Sequence, residues 1–298
     1  MKDQREAMDI RQRRRVIGIA KQILSHEEVE RFERIGFKDL GFGFDKFGFE
    51  KEAGLLAYIF ARLLHMYYFR VKSDGIENIP GSGPAILVAN HSGMLPIDAA
   101  MISVDVFRNS NPPRVPRSIT DFFAFDFPFL GTILTRLGQV PGSRRNFEEL
   151  LNEGELVLVC PEGTIGIGKH FSERYKIKPF RVGHMEMALK FRVPIIPVAL
   201  VGAEEQSPIL YNIKSIAKLL HVPYFPVTPT FPWLGPLGLL PYPVKYHITY
   251  GEPIHFYRDY PPETVEHVDT VNQLTEEVRL KLQTMVDRTV ELRKGVFL

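Results

Sequence analysis

The chain has 298 residues, of which 45% are hydrophobic and 24% are charged, a balance that is typical of a globular protein and argues against disorder. Its net charge of +2 is too small to indicate a nucleic-acid partner, although four arginines concentrate positive charge at positions 11, 13, 14 and 15. That cluster either favours an anionic surface or forms a solvated helix face. Cys160 is the only cysteine, which excludes an intramolecular disulfide and indicates a reducing compartment.

The first fifty residues are rich in charge and lack the apolar core of a signal peptide, so we expect the protein not to be secreted. Residues 4–34 mix charged side chains with spaced isoleucines and predict an amphipathic helix or helix pair. Residues 36–50 alternate glycine with phenylalanine and predict a packed irregular loop.

Residues 54–71, GLLAYIFARLLHMYYFRV, are apolar except for Arg62 and His65. As a helix this segment is about 27 Å long, at about 1.5 Å per residue, which is short for a membrane span. Two interpretations remain open, a helix lying in the membrane interface and an ordinary buried helix.

Short β-rich runs alternate with helical ones between residues 69 and 257, a pattern that predicts an α/β fold with an open, mixed but largely parallel sheet flanked by helices. The seven runs are FRVKSDG, AILVAN, RVPRSIT, LGQVPG, ELVLVC, VPIIPVALVG and VKYHITYG. Several of them end where polar residues begin. Ligands of open α/β sheets bind outside the carboxyl ends of the strands, so we expect the functional site there.

Residues 219–244 contain no Asp, Glu, Lys or Arg, and their repeated prolines exclude a regular helix. This segment is either a membrane-dipping loop or a proline-rich cover over the core. Apolar residues from Val271 to Leu292 follow at helical spacing. We therefore predict an N-terminal helical, membrane-associating region (1–68), a catalytic domain (69–258) and a C-terminal helix that packs on it (259–298).

The segment NHSGMLPID places His91 directly after the strand AILVAN. A histidine at a strand-to-helix turn is suited to act as a general base, and a carboxylate on its other ring nitrogen would fix the tautomer. Asp98 is the candidate carboxylate. In one continuous helix the two residues would be about 10 Å apart along the axis, but Pro96 favours a helix that begins near residue 96, with a turn before it. Backbone N–H groups of that turn are expected to stabilise an oxyanion.

Four segments, NHSGMLPID, LGQVPGSRRN, CPEGTIG and VPIIPVALVG, occur in the order of the four motifs of the glycerolipid and lysophospholipid acyltransferase family, which the chain resembles over residues 70–255. The resemblance implies that His91 and Asp98 are catalytic. It also implies an acceptor site at Arg144, Glu162, Gly163 and Thr164, and an acyl pocket shaped by residues 194–197. Six residues separate His91 from Asp98 where the family usually has four, a spacing that looks like a bacterial subgroup related to diacylglycerol acyltransferase-like proteins.

Basic residues in loops near the predicted strand ends suit an anionic headgroup or the phosphates of coenzyme A. They are Arg144, Arg145, Lys169 and Arg174. The remaining histidines show no spacing that is typical of a metal site.

Three other functions compete with acyl transfer. GTIGIGKH, residues 163–170, nearly matches a phosphate-binding loop but has His170 in place of Ser or Thr. Cys160 could act with His91 as a hydrolase, although a single cysteine that ends an apolar strand is more often a packing residue. The scaffold could also be a non-catalytic lipid-binding module.

We therefore predict an O-acyltransferase that moves a fatty acyl group from acyl-CoA, or acyl carrier protein, to a hydroxyl of a glycerolipid such as lysophosphatidate. The alternative acceptor is diacylglycerol or another alcohol. We expect no metal or other cofactor, no nucleic acid, and a peripheral or monotopic position on the cytoplasmic face of the cell membrane.

Overall fold

The computed structural model describes residues 17–297. The basic cluster at residues 11–15 lies outside this range, as does part of the predicted helix pair over residues 4–34. Within the range, residues 17–23 are helical and a second helix, α1 (His26–Glu33), follows. Ser25 is the N-cap of α1. The side chains of Ser25 and Glu28 each accept a hydrogen bond from the other residue's backbone N–H.

A seven-stranded mixed sheet is the centre of the fold, with strand order β1-β9-β6-β2-β5-β3-β4. The five strands from β6 to β4 in that order are parallel, whereas β9 is antiparallel to β6 and parallel to β1. The strands are β1 (Lys72–Asp74), β2 (Ala85–Ala89), β3 (Arg117–Thr120), β4 (Val140–Pro141), β5 (Leu156–Val159), β6 (Ile195–Val201) and β9 (His247–Tyr250). Each lies in one of the seven predicted runs, so the predicted mixed, largely parallel sheet is confirmed.

Helices cover both faces of this sheet. The other helices are α2 (Lys51–Leu63), α3 (Ile97–Asn109), α4 (Leu130–Arg136), α5 (Arg144–Asn152), α6 (Thr164–Ile167), α7 (Gly183–Phe191), α8 (Ala203–Gln206), α9 (Lys214–Leu219) and α10 (Val268–Leu292). Because side chains alternate along a strand, Leu87 packs against α3 on one face, while Ile86 packs against α5, α7 and α10 on the other. Burial on both faces explains the continuous apolar sequence of β2, β5 and β6.

The apolar segment 54–71 forms α2 and a π-helical turn, Leu64–Tyr68. Its inner side packs on α3, where the rings of Tyr58 and Phe107 are 4.7 Å apart. Its outer side exposes an apolar row at helical spacing, formed by Leu56, Phe60, Leu63 and Tyr67. No helix within residues 17–297 has both the length and the apolar character needed to cross a bilayer.

The uncharged segment 219–244 is irregular, as its prolines predict. It contributes β8 (Pro226–Val227), which pairs with β7 (Tyr211–Asn212) in a small antiparallel sheet that the sequence did not predict. The segment is tied to the core by a hydrogen bond from the Tyr242 N–H to the Gln206 carbonyl, yet it exposes Trp233. The predicted closing helix is confirmed as α10.

Candidate active site

Polar side chains converge at the carboxyl ends of the parallel strands, as the topology predicts. His91 follows β2, Asp121 follows β3, Arg144 follows β4, Glu162 follows β5 and Glu204 follows β6. Because these five strands are parallel, all five residues lie at the same edge of the sheet. The candidate site is therefore assembled from the ends of separate strands.

The turn between β2 and α3 brings His91 and Asp98 together. Pro96 is the N-cap of α3, so Asp98 lies in the first turn of the helix, as expected from the sequence. His91 Nδ1 is 2.7 Å from Asp98 Oδ2. Gly93 has a φ of +82°, and a Cβ at this position would lie 2.5 Å from the Ala203 carbonyl oxygen, so the turn requires glycine here.

Asp98 is completely buried and accepts three hydrogen bonds. Besides His91, it accepts hydrogen bonds from the N–H groups of Ser92 and Ala99, each at 2.8 Å. The Ser92 N–H is thus not available to an oxyanion. Asp98 therefore orients His91 and also closes the turn.

The environment of His91 raises its pKa above the ordinary value. Burial alone lowers the pKa, but the charge and hydrogen bond of Asp98, together with the charge of Glu162, outweigh it, and the positive charge of Lys169 opposes them. No hydrogen-bond partner for His91 Nε2 occurs among residues 17–297, and the side chain remains 13% exposed. A substrate can therefore reach this nitrogen.

Glu162 holds the backbone of His91 from the other side. Its Oε1 accepts the His91 N–H at 2.8 Å, and its Oε2 accepts the Lys178 N–H at 2.7 Å. Gly166 of α6 packs against the same residues, because a Cβ there would lie 2.7 Å from the His91 carbonyl oxygen and 2.9 Å from Glu162 Cβ. Although Glu162 is a predicted substrate ligand, both of its oxygens face the protein.

A cavity of about 270 Å³ opens at the same edge of the sheet, and its wall includes Cys160 and Gly163 from the turn that carries Glu162. Arg144 lines it from the first turn of α5, where the sequence predicted a loop, and Gly163 lines it from the turn after β5. Arg181 also lines it, with its guanidinium carbon 3.1 Å from a Cβ built on Gly163. The two guanidinium groups face carboxylates: Arg144 lies 2.8 Å from Glu186, and Arg181 lies 3.5 Å from Asp121.

Four of the six predicted substrate ligands do not line this cavity, and Glu162 is one of them. Lys169 is buried, with its Nζ 2.5 Å from Glu204 Oε1, and the guanidinium of Arg174 lies over the rings of Phe171 and Tyr175. Thr164 begins α6 beside Gly163 but is not part of the cavity wall either.

The sequence did not identify Arg181, Glu204 or Lys178 as parts of the site. Arg181 is one of many basic residues and stands eighteen positions beyond Gly163. Glu204 and Lys178 act through contacts that depend on the path of the chain between β5 and β6. The one available signal was that Glu204 lies three residues beyond β6, at the edge where the other parallel strands are also followed by polar residues.

The geometry does not favour the competing chemistries. In a phosphate-binding loop Lys169 would face the ligand, whereas here it is 4% exposed and ion-paired, and α6 has four residues. Burial raises the pKa of the Cys160 thiol well above its usual value, which disfavours a thiolate nucleophile. Across residues 17–297 no group of three or more His, Cys, Asp or Glu side chains could hold a metal ion.

Comparisons with known proteins agree with this geometry. The model of the family described as acyltransferase matches residues 70–201. An uncharacterized protein of Mycobacterium leprae is 38% identical over 255 residues, which cover 85% of this chain and 69% of that protein. The chain belongs to the acyltransferase family. This confirms the resemblance to 1-acylglycerol-3-phosphate acyltransferases, and this acyltransferase is an O-acyltransferase.

Two further proteins are similar to this chain, one in sequence and one in fold. The human protein described as a DGAT1/2-independent enzyme synthesizing storage lipids is 26% identical over 215 residues, which cover 72% of this acyltransferase and 60% of the human protein. The crystal structure of the 1-acyl-sn-glycerophosphate (LPA) acyltransferase PlsC from Thermotoga maritima superposes with a TM-score of 0.55 at 20% identity, covering 82% of both chains. It shares the fold.

The close packing of Gly166 on His91 leads to a prediction. In Gly166→Ala the new methyl group must displace the backbone of His91 or of Glu162, so we expect kcat to fall by about 10- to 100-fold with little change in the melting temperature. Gly36→Ala is the matched control, because a Cβ at Gly36 meets no atom within 4 Å. Wild-type turnover in Gly166→Ala would show that the contact does not position His91.

Proposed function

We propose that this acyltransferase transfers a fatty acyl group from acyl-CoA, or acyl carrier protein, to a hydroxyl of a glycerolipid, with His91 as the general base. The observation that carries the proposal is the bond from His91 Nδ1 to the buried Asp98 carboxylate. It places the proton of the neutral ring on Nδ1 and leaves the lone pair on Nε2, the accessible nitrogen.

In the proposed reaction Nε2 takes the proton of the acceptor hydroxyl while the hydroxyl oxygen bonds to the thioester carbonyl carbon. The tetrahedral intermediate then breaks its C–S bond. The departing thiolate recovers the proton from the imidazolium, so the histidine returns to its neutral form. Asp98 stabilises the imidazolium between the two steps. A thiol with a pKa near 8.5 is a good leaving group, which makes activation of the alcohol the harder task.

The cavity of about 270 Å³ at the carboxyl edge of the sheet supports an acceptor with an anionic headgroup, such as lysophosphatidate. Arg144 and Arg181 line it together, and two guanidinium groups suit the oxygens of a phosphate. A neutral acceptor, such as diacylglycerol, is the second candidate. It is favoured by the carboxylates Glu186 and Asp121, which already face the two arginines and reduce the positive charge that a phosphate would meet.

We further propose that the catalytic edge of the sheet faces a membrane. Exposed apolar side chains follow the strand ends around His91, at Leu95 after β2, Phe122 after β3 and Ile165 after β5. The segment 219–244 reaches the same turn, since the Tyr224 hydroxyl donates to the Met94 carbonyl. Apolar side chains of this kind, embedded at the level of the lipid headgroups, favour a peripheral or monotopic protein.

The proposed location is the cytoplasmic face of the cell membrane, where a single cysteine is compatible with reducing conditions. No cofactor is proposed, since the reaction requires only the thioester as co-substrate.

The first prediction concerns the pH dependence of catalysis. Because the pKa of His91 is raised, kcat/KM falls as the pH drops through a value above 6.5, where the base becomes protonated. Asp98→Asn removes the charge that raises this pKa, so the acid limb moves to lower pH while the plateau falls by roughly 10²- to 10⁴-fold. His91→Ala abolishes turnover at every pH. The measurement is a pH–rate profile with labelled acyl-CoA, and an unchanged plateau in either variant contradicts the mechanism.

The second prediction identifies the acceptor. Arg144→Gln and Arg181→Gln each lower kcat/KM for the preferred acceptor by about 10- to 100-fold if that acceptor is anionic, because a charged hydrogen-bonding partner is lost. The panel contains lysophosphatidate, other lysophospholipids, monoacylglycerol and diacylglycerol. Arg145→Gln is the matched control, since Arg145 is 87% exposed and pairs with Glu149. Unchanged rates in both variants would favour the neutral acceptor.

The third prediction concerns membrane binding. Phe60→Glu on α2 and Trp233→Glu in the uncharged segment each place a charge on an exposed apolar surface, so we expect the partition onto phosphatidylglycerol vesicles to fall by roughly tenfold. Leu280→Glu, at an exposed position of α10, should leave partition unchanged. Vesicle flotation measures the bound fraction, and equal binding by all three variants would refute docking through these surfaces.

A further inference from the structure

Lys169 lies among three carbonyl and carboxylate groups in the interior behind His91. Its Nζ is 2.5 Å from Glu204 Oε1 and 3.9 Å from Glu162 Oε2, and it donates to the Lys176 carbonyl at 2.9 Å. The side chain is 4% exposed, and that of Glu162 is not exposed at all. A buried cation between two buried carboxylates is a costly arrangement unless each charge is compensated.

The space beside Lys169 cannot hold a substrate. The void that it lines with Gly93, Gly166, Arg174 and Glu204 has a volume of about 10 Å³, the lower limit for a single water molecule. The cavity of about 270 Å³ that contains Arg144 has a different wall. Contact between Lys169 and a headgroup would require the whole α6 region to move.

The contacts of Glu162 fit an ionised carboxylate best. Its two oxygens each accept a backbone N–H, from His91 and from Lys178. A protonated carboxyl group can still accept, but its hydroxyl oxygen is a weaker acceptor than an ionised oxygen. Burial raises the pKa of Glu162 above its usual value and so favours the protonated form, and the positive charge of Lys169 is the largest influence that opposes it.

We propose that Lys169 is a positioning residue that keeps Glu162 ionised, so that Glu162 holds the backbone of His91 at the distance that catalysis requires. The inference rests on the proposed role of His91 as the base. It gives Lys169 a role other than the substrate contact expected from the sequence, and it explains why Glu162 has no oxygen free for an acceptor.

The charges give this arrangement a specific pH signature. Lys169 lowers the pKa of Glu162, although burial raises it, and it also lowers the pKa of His91. Lys169→Met raises both pKa values, so the acid limb of the rate profile moves to higher pH. Glu162→Gln removes a charge that raises the pKa of His91, so its acid limb moves to lower pH. These shifts follow from the charges alone, so the positioning role is tested by the loss of kcat on the alkaline plateau, where His91 is already neutral.

The experiment compares full pH–rate profiles of purified protein with labelled acyl-CoA and the preferred acceptor. We expect kcat of Lys169→Met to fall by about 10- to 100-fold at neutral pH with KM nearly unchanged, and to recover in part at alkaline pH as Glu162 ionises. The kcat of Glu162→Gln should fall by a similar factor and should not recover at alkaline pH. Glu204→Gln should lose no more than about threefold, because Lys169 remains beside Glu162.

Lys190→Met is the matched control, since Lys190 pairs with Glu148 on the surface of α7, outside the site. A raised KM with unchanged kcat in Lys169→Met would assign Lys169 to substrate binding and overturn the proposal. Equal losses of kcat in Lys169→Met and Glu204→Gln, with pH–rate profiles that do not shift, would show that Lys169 only forms a structural ion pair. If Lys169→Met does not fold, the Glu162→Gln variant still tests the proposal, because a wild-type kcat in that variant is enough to overturn it.

A second measurement separates this inference from the proposed mechanism. The His91 imidazole can be titrated by NMR in the full protein, with His91→Ala used to assign the signal, and Glu162→Gln should lower its pKa. If His91→Ala retains turnover, the base mechanism fails whatever the titration gives. If His91→Ala is inactive and the plateau kcat of Glu162→Gln equals that of wild type, only the positioning role fails.

Discussion

The carboxylate of Asp98 has no contact with water, and the reactive turn depends on how that charge is compensated. An unpaired buried carboxylate costs several kcal/mol or more, but here three donors surround it: the His91 ring and the N–H groups of Ser92 and Ala99. The same three bonds fix the conformation between β2 and α3. The charge that makes the histidine a better base thus also determines where the histidine stands.

Glu162 applies the same principle from the opposite side. Asp98 binds the N–H after His91, and Glu162 binds the N–H of His91 itself, so two carboxylates hold consecutive peptide groups. Two negative charges next to one imidazole raise its pKa and so favour the protonated form, which cannot act as a base. The positive charge of Lys169 opposes both and lowers the pKa of His91. The balance of these charges therefore decides which fraction of the enzyme is in the active form at neutral pH.

Features carried by local sequence were predictable, and features carried by long-range contacts were not. The seven strands follow from apolar runs, and the start of α3 follows from the restrictions that Pro96 imposes on its neighbours. The grouping of His91, Arg144 and Glu162 follows from parallel strands whose ends share one edge.

In contrast, whether a given arginine or lysine points into a cavity depends on the packing of loops. Lys169 and Arg174 were placed at the site because of their charge, while Arg181, which lines the cavity, has no distinguishing sequence neighbour. The sequence of residues 54–71 did not determine which side chains are buried: one side of the helix packs on α3 and the other side is exposed.

Acyl transfer to a lipid must compete with transfer to water, which His91 could activate equally well. The charged groups that surround His91 are nearly all turned inward, to Asp98, Glu162 and the backbone, whereas Leu95, Phe122 and Ile165 are turned outward around it. In the proposed membrane-bound state these apolar side chains would enter the lipid. The burial of their surface removes water from it, so water would also be excluded from Nε2. The neutral acceptor and the anionic one would both arrive from that side. The choice between them would then rest on Arg144 and Arg181 at the cavity wall, and on whether a phosphate can displace Glu186 and Asp121 as their partners.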